Sequence, residues 1–250
     1  MKPKLQAPFL KKISFSFDSE RNGYPFSIPV FSDSFEVGFH KPLTIFAGEN
    51  GSGKSTLLEI LAYHIGFNTF GGSRNNFLKE APDIAPIMEA LKFSWLPKVN
   101  TGFFMRAESF FNFSQSLDEM AKEDPRTYSA YGGKSLNKQS HGEAFLSLFL
   151  NRFGMQGVYI LDEPEAALSP EKQLAFLGIL HQMARSGEAQ IIMATHSPIL
   201  LSVPDADVLY LNETGAIIEK SYQTTPHWSL YARFMENPEK YHKLILDDED

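Results

Sequence analysis

The stretch Gly48-Glu-Asn-Gly-Ser-Gly-Lys-Ser-Thr56 decides the fold of this 250-residue chain. It fits the pattern Gly-x4-Gly-Lys-Ser/Thr of phosphate-binding loops in full. Residues 43–46 form a short apolar run before it, and apolar residues recur at helical spacing over residues 57–65 after it. This pattern predicts a strand, a glycine loop and a helix, which together aim backbone amides and the positive end of a helix dipole at one phosphate. The predicted nucleotide-binding residues are Gly48, Glu49, Asn50, Gly51, Ser52, Gly53, Lys54, Ser55 and Thr56.

A pair of acids follows a second apolar run. Residues 158–161 are β-prone, and Asp162 and Glu163 come directly after them. Alone, such a pair is more often a solvated turn, but in parallel sheets ligands gather at the carboxyl ends of strands. We expect Lys54 to reach the β- and γ-phosphates and Ser55 to hold Mg²⁺. Asp162 is expected to hold the same Mg²⁺, directly or through water, and Glu163 to polarise the attacking water.

Two further segments allow two interpretations each. Ser140-His-Gly-Glu143 heads an apolar helix predicted over residues 145–153, so it is either a helix cap or a second anion site. His196 follows a β-prone run at residues 190–194. Its ring is either structural or a hydrogen-bond donor to a γ-phosphate.

Composition excludes several classes of protein. The chain is 43% hydrophobic and 21% charged, as in ordinary globular proteins, and no apolar run is long enough to span a membrane. With no Cys, it has no disulfide, thiolate zinc site or thiol chemistry, and we expect no signal peptide. The net charge of −7 suits nucleic acid poorly, although a local basic face leaves direct binding open. We therefore expect a soluble, cytoplasmic protein.

The remaining sequence gives a coarse map of elements. Further β-prone segments predict strands at residues 13–17, 26–31, 93–96 and 102–106, the last two around a turn, and a hairpin at residues 208–219. Residues 82–92 predict a short helix, and the polar residues 117–138 a mobile segment. A helix capped by Ser169, with Pro170 in its first turn, is expected to bury Leu174, Leu177, Leu180 and Ala184.

In this order, the phosphate loop, the Ser-x-Gly-Glu segment, the Asp-Glu pair and the His resemble the motifs of ABC-type ATPases, over roughly residues 13–220. Transporter subunits usually have Leu-Ser-Gly-Gly-Gln and Pro-Thr-Ser-Ala-Leu-Asp. This chain has Gln139-Ser-His-Gly-Glu143 and Pro164-Glu-Ala-Ala-Leu-Ser-Pro170 instead. It therefore looks most like the short stand-alone "AAA family ATPases" of the SMC/RecF-like branch.

This resemblance implies the fold of an ABC-type ATPase head: a single α/β domain over residues 1–250, with a mostly parallel core sheet and an antiparallel β region. It implies a helical arm around residues 70–155, and residues 226–250 are expected to form a C-terminal helical extension. It also implies that Ser140, His141, Gly142 and Glu143 act in trans, across a head-to-tail homodimer that forms on ATP. Glu108 is expected to replace the Gln that senses Mg²⁺ in the family, and Tyr24 or Phe26 to stack on adenine.

The favoured function is hydrolysis of ATP with Mg²⁺, coupled to a separate protein effector in DNA processing or anti-phage defence. One alternative is the nucleotide-binding subunit of a transporter, which Glu165 and the altered signature disfavour. Another is a switch that dimerises on ATP with negligible turnover, which the intact Glu163 and His196 disfavour.

Overall fold

The protein is seen here as a computed structural model. It describes residues 6–17, 23–69, 83–108, 110–124, 127–128, 133, 135–138, 141–152 and 155–246. The expected α/β fold, with a largely parallel core sheet and a separate antiparallel sheet, is confirmed.

The main sheet has six strands. Short apolar strands alternate with helices along much of the chain, which is the pattern of an α/β fold. In spatial order they are β5 (Gly102–Arg106), β6 (Gly157–Asp162), β7 (Ala189–Ala194), β3 (Leu43–Gly48), β8 (Asp207–Leu211) and β9 (Ile217–Glu219). Neighbours run parallel, except that β9 folds back antiparallel on β8 as the expected hairpin. Every residue of β3, β6 and β7 is buried, which explains their continuous apolar character.

The smaller sheet is antiparallel. Its central strand is β1 (Leu10–Phe15), flanked by β2 (Phe35–Gly38) and β4 (Leu91–Trp95). The strands expected around a turn at residues 93–96 and 102–106 are present as β4 and β5, and they belong to different sheets. The strand expected at residues 26–31 is wrong: Pro29–Phe31 is a 3-10 helix, since proline has no amide to donate to a strand ladder.

Gln190 of β7 joins the two sheets. The side chain is fully buried, and its Oε1 accepts hydrogen bonds from the amides of Phe9 and Leu10, both at 2.8 Å. Its Nε2 donates to the Leu10 carbonyl at 3.0 Å. One amide side chain thus satisfies three backbone groups at the start of β1.

Seven α-helices lie in the described part of the chain: α1 (Lys54–Ile65), α2 (Phe110–Glu123), α3 (His141–Arg152), α4 (Pro170–Arg185), α5 (Pro198–Leu201), α6 (Pro226–Glu236) and α7 (Pro238–Leu246). Among these described helices, none is both long and apolar enough to cross a membrane. Residues 117–123 of the segment expected to be mobile belong to the helix α2. Ser169 caps α4 as expected, but Leu174 is 60% exposed, and Phe176 and Met183 are buried instead.

The main sheet separates two hydrophobic cores. Alternate residues of β6 point to opposite sides, so that Val158 and Ile160 pack with α1 and the smaller sheet. Tyr159 and Leu161 pack with α2, α3 and α4. Residues 226–246 of the expected C-terminal extension form α6 and α7, whereas residues 70–82 and 247–250 lie outside the described residues. The division into arm and extension stays a prediction.

Candidate active site

Three neighbouring strands bring the predicted residues to one edge of the main sheet. Gly48 ends β3, Asp162 ends β6, and His196 follows β7. Because β6, β7 and β3 are parallel and adjacent, their carboxyl ends meet there. The structure therefore assembles side chains that are more than a hundred residues apart in sequence.

Glycines shape the phosphate loop at the start of α1. Gly53 has φ 103°, in the left-handed region, and a Cβ on it would lie 2.5 Å from Val30 Cγ1. Gly48 has φ 149°, and a Cβ there would collide with the Leu211 carbonyl. Only glycine fits both positions, so the loop stays tightly wound.

Lys54 lies across this loop. Its Nζ donates to the carbonyls of Gly48 and Glu49, each at 2.8 Å, and the residue is only 4% exposed. Burial lowers the pKa of Lys54, against the attraction of the carboxylates of Glu163 and Asp162. The ammonium is thus held where it can meet phosphate oxygens.

Ser55 and Asp162 offer two oxygens side by side. Ser55 Oγ donates to Asp162 Oδ1 at 3.0 Å, and hydroxyl and carboxylate oxygens are ligands that Mg²⁺ prefers. Their chemistry fits the expected metal. Glu108 lines a cavity of about 160 Å³ together with Ser55, Asp162 and Glu163. Its expected role, to replace the Gln that senses Mg²⁺ in the family, stays a prediction.

Arg106 is a neighbour that the motif search missed. It donates from Nε to Asp162 Oδ2 and from its guanidinium to Glu59, both at 3.0 Å. Burial opposes the Arg106 charge, but the two carboxylates outweigh it and raise the pKa of the guanidinium. No sequence motif marks Arg106, which reaches the site because it ends β5 in register with Asp162 on β6.

Glu163 has an unusual backbone. Its φ of 49° lies in the left-handed region, a strain that active sites often hold. Burial raises the pKa of Glu163, and the carboxylates of Asp162 and Glu165 raise it further. A carboxylate with a raised pKa is a stronger base.

His196 lies beside Glu163, with 3.7 Å between His196 Nε2 and Glu163 Oε1. Its turn is fixed by Glu165, whose Oε1 accepts the amides of His196 at 2.7 Å and Ser197 at 3.2 Å. Burial lowers the pKa of His196 to about 4, and the nearby Lys54 adds to this, so the ring is neutral at pH 7. His196 Nδ1 lies 3.0 Å from Nε2 of His227 on α6, a residue without any motif in the sequence.

The signature segment is described in part. Ser140 and the side chain of His141 lie outside the described residues, while His141-Gly-Glu143 begins α3. The helix α3 packs in the core opposite to that of α1. The role of this segment in trans stays a prediction.

The adenine contacts also stay a prediction. Tyr24 is 52% exposed, and Phe26 packs partly buried against the core on the α1 side. Ile28, which follows them, lines a pocket of about 430 Å³ together with the phosphate loop and Glu163.

Comparisons with known proteins agree with this geometry. Residues 27–131 match the family model "AAA domain", and residues 143–202 match "AAA domain, putative AbiEii toxin, Type IV TA system". The chain is 23% identical over 96% of its length to the Serine protease/ABC transporter B family protein tagD of Dictyostelium discoideum. It is 42% identical over 55 residues, 22% of its length, to the OLD nuclease of Thermus scotoductus (strain ATCC 700910 / SA-01).

The chain spans only 13% and 10% of the lengths of these two relatives. Its fold is similar to that of an SmcHead bound to the C-winged helix domain of ScpA, with a TM-score of 0.52 and 15% identity, over 86% of this chain and 98% of that one. The chain is thus similar to AAA-domain proteins over residues 27–131 and 143–202, and it shares the fold of an SMC head, with the phosphate loop, Asp162 and Glu163 at one sheet edge.

Proposed function

We propose that this chain binds ATP with Mg²⁺ and hydrolyses it in the cytoplasm. The proposal rests on one observation: Lys54, Ser55, Asp162, Glu163 and His196 converge at a single edge of the main sheet. A buried cation, a hydroxyl–carboxylate pair, a base and a neutral imidazole are the groups that phosphoryl transfer to water requires.

Each group has a place in the reaction. Lys54 and the loop amides bind the β- and γ-phosphates and neutralise their charge. Ser55 and Asp162 hold Mg²⁺, which supplies further charge neutralisation when it is bound. Glu163 accepts a hydrogen bond from the attacking water and orients it toward the γ-phosphate, and its raised pKa suits this task. His196 donates from Nε2 to the γ-phosphate.

The active form in this proposal is a head-to-tail homodimer that assembles on ATP. The phosphate loop starts α1 in one core, whereas His141-Gly-Glu143 starts α3, which packs in the other core. An anion site at the start of α3 therefore meets the nucleotide of a second copy more readily than its own. A twofold axis supplies both contacts at once.

We further propose that turnover drives a separate protein effector, in DNA processing or anti-phage defence. The names of a matching relative, an OLD nuclease, and of a matching model, a putative AbiEii toxin, support this direction. The relative named after ABC transporters supports a transporter subunit instead. Against that alternative, Glu165 stands where transporters place Thr, and here its carboxylate is engaged by the amides of His196 and Ser197.

Glu163→Gln tests the hydrolysis. The amide keeps the shape of the side chain but cannot act as a base, so we expect ATP binding to persist and kcat to fall about 10²- to 10⁴-fold. Phosphate release gives the rate, and calorimetry with ATP gives the affinity. Glu239→Gln, on the exposed face of α7, is the matched control and should retain the parental rate.

Two results would contradict this function. If Glu163→Gln hydrolyses ATP at the parental rate, another residue polarises the water. If the parental chain binds ATP and dimerises but releases no phosphate, the chain is the ATP-dependent switch instead.

A further inference from the structure

His227 contacts the active site but has no role in the chemistry above. It is the second residue of α6, and its ring lies against His196 with centroids 4.8 Å apart and planes tilted by 64°. The start of α6 is firmly held: Thr225 Oγ1 donates to the Tyr222 carbonyl at 2.6 Å and accepts the Trp228 amide at 3.4 Å. The His227 ring is therefore fixed in place beside His196.

A single proton occupies the 3.0 Å contact between His196 Nδ1 and His227 Nε2, because both imidazoles are neutral. Burial lowers the pKa of each ring below its ordinary value. In the first arrangement His196 donates, and in the second His227 donates. The two arrangements place the remaining protons differently, since a neutral imidazole has one N–H and one bare nitrogen.

The first arrangement leaves two unfavourable groups. His196 Nε2 would be bare and face the Glu163 carboxylate at 3.7 Å, so that two acceptors oppose each other. His227 would have its proton on Nδ1, a buried atom without a hydrogen-bond partner in the described part of the chain. A buried donor without a partner costs about 1–3 kcal/mol.

The second arrangement replaces the opposition of two acceptors with an attraction between His196 Nε2–H and the Glu163 carboxylate at 3.7 Å, although this distance exceeds a hydrogen bond and Nε2 has no partner among the described residues. His227 Nε2–H donates to His196 Nδ1, and His227 Nε2 lies 4.0 Å from Glu49 Oε1, whose negative charge favours a proton on that nitrogen. His196 then has its proton on Nε2, pointing at Glu163 and the mouth of the phosphate loop. The buried Nδ1 of His227 becomes a bare acceptor.

We propose that His227 is a positioning residue that holds His196 in the Nε2–H tautomer and in the orientation that donates to the γ-phosphate. The last step of this proposal rests on the proposed ATP hydrolysis. The contact between the two rings also connects the N-terminus of α6 to the proposed catalytic residue His196. His227 itself touches no phosphate.

The protons can be located without nucleotide. In the full chain labelled with ¹⁵N-histidine, ring spectra at pH 7 should show protons on His196 Nε2 and His227 Nε2, with both Nδ1 atoms bare. Signals are assigned by their loss in His196→Gln and His227→Gln. A proton on His196 Nδ1 overturns the proposal, and this result holds whether or not the chain hydrolyses ATP.

Turnover supplies the second test. We expect His227→Phe to lower kcat about 10- to 100-fold with little change in the affinity for ATP, as for other residues that orient a functional histidine. His227→Gln should recover most of the rate, because its side-chain amide can donate from nearly the same position. His242→Phe on α7 is the matched control, exposed and remote in sequence from the site motifs, and should keep the parental rate.

Equal losses in His227→Phe and His227→Gln would overturn the positioning role, since a structural role alone would not distinguish a donor from a ring. Unchanged turnover in His227→Phe would overturn it as well. A parental chain without phosphate release contradicts the proposed function, while the proton positions still decide the arrangement of the two rings.

Discussion

Lys54 and Glu163 are opposite charges in one pocket, and their pKa values are displaced toward each other. Burial lowers the pKa of Lys54, and burial with neighbouring acids raises that of Glu163. Both groups therefore favour their charged forms less than they would in water. An entering phosphate stabilises the Lys54 cation, so the pocket is prepared for an anion.

The first prediction concerns Lys54. Lys54→Ala removes the cation that lies across the phosphate loop, so it should abolish binding of a non-hydrolysable ATP analogue in calorimetry. Lys240→Ala, an exposed lysine of α7, should bind the analogue as the parental chain does. Undiminished binding by Lys54→Ala would rule out the phosphate-loop assignment.

Residues of the site differ in how well the sequence predicts them. Lys54, Ser55, Asp162 and Glu163 lie in short motifs whose backbone conformation is local, so their pattern is sufficient. Arg106 and His227 reach the site only because β5 pairs with β6 and α6 packs beside α5. No short pattern contains such tertiary contacts.

At the level of elements, α1 is joined to β4 of the smaller sheet by His64. Its ring stacks on Phe93 with centroids 3.6 Å apart, and its Nε2 accepts the indole N–H of Trp95 at 3.2 Å. Burial lowers the pKa of His64 to about 4, and Lys98 adds to this. A protonated ring would lose the bond from Trp95, so the contact requires the neutral form.

The second prediction follows from that pKa. Between pH 6.5 and 4, His64 takes up a proton in the unfolded chain but not in the folded one, so the free energy of unfolding should fall as the pH falls. One such histidine contributes at most about 1.4 kcal/mol per pH unit. Urea denaturation of the parental chain and of His64→Phe at several pH values measures the difference.

The exposed His242→Phe should leave this pH dependence unchanged. His196, whose pKa is also lowered to about 4, should keep part of the dependence in His64→Phe. If His64→Phe retains the full parental slope, the His64 ring is not held neutral by its contacts.

Elements with clear sequence patterns were predicted well, and each wrong prediction has a local cause. The strands β3, β6 and β7 are continuous apolar runs between clear turn signals. Residues 26–31 have the composition of a strand, but Pro29 starts a 3-10 helix there. Leu174 satisfies the helical spacing of α4 yet is exposed, because Phe176 occupies the core.

For the whole molecule, the main sheet separates the helices α1 and α3, which belong to different cores. In the proposed dimer, the phosphate loop before α1 and the segment that begins α3 are the two halves of a site shared between copies. The net charge of −7 opposes association of two copies at long range. In the proposed dimer, ATP and Mg²⁺ at the interface would have to outweigh this repulsion.

The third prediction is an ATP-dependent dimer. Glu163→Gln should dimerise at micromolar concentration when ATP is added, because the variant binds ATP but does not hydrolyse it. Adding Ser140→Arg should leave binding intact but block the contact with the second copy, so the double variant should stay monomeric in light scattering. In the control, Glu163→Gln is combined with Ser34→Arg, at an exposed position before β2. This double variant should still dimerise on ATP.

If the double variant with Ser140→Arg dimerises on ATP as well, Ser140-His-Gly-Glu143 is only a helix cap. The two copies then do not share their sites. Hydrolysis by Glu163 would remain possible within one chain.

The Gln190 side chain also has a consequence for synthesis on the ribosome. The hydrogen-bond partner of Leu10 is made 180 residues after Leu10 itself. At roughly 5–20 residues per second, the Leu10 amide waits about 10–40 s for Gln190. The strands β1, β2 and β4 and the helix α1 that packs with them are all made before β7, but the link through Gln190 forms only when β7 is complete. The joining of the two sheets through Gln190 is therefore a late step of synthesis, after β1, β2, β3 and β4 have all been made.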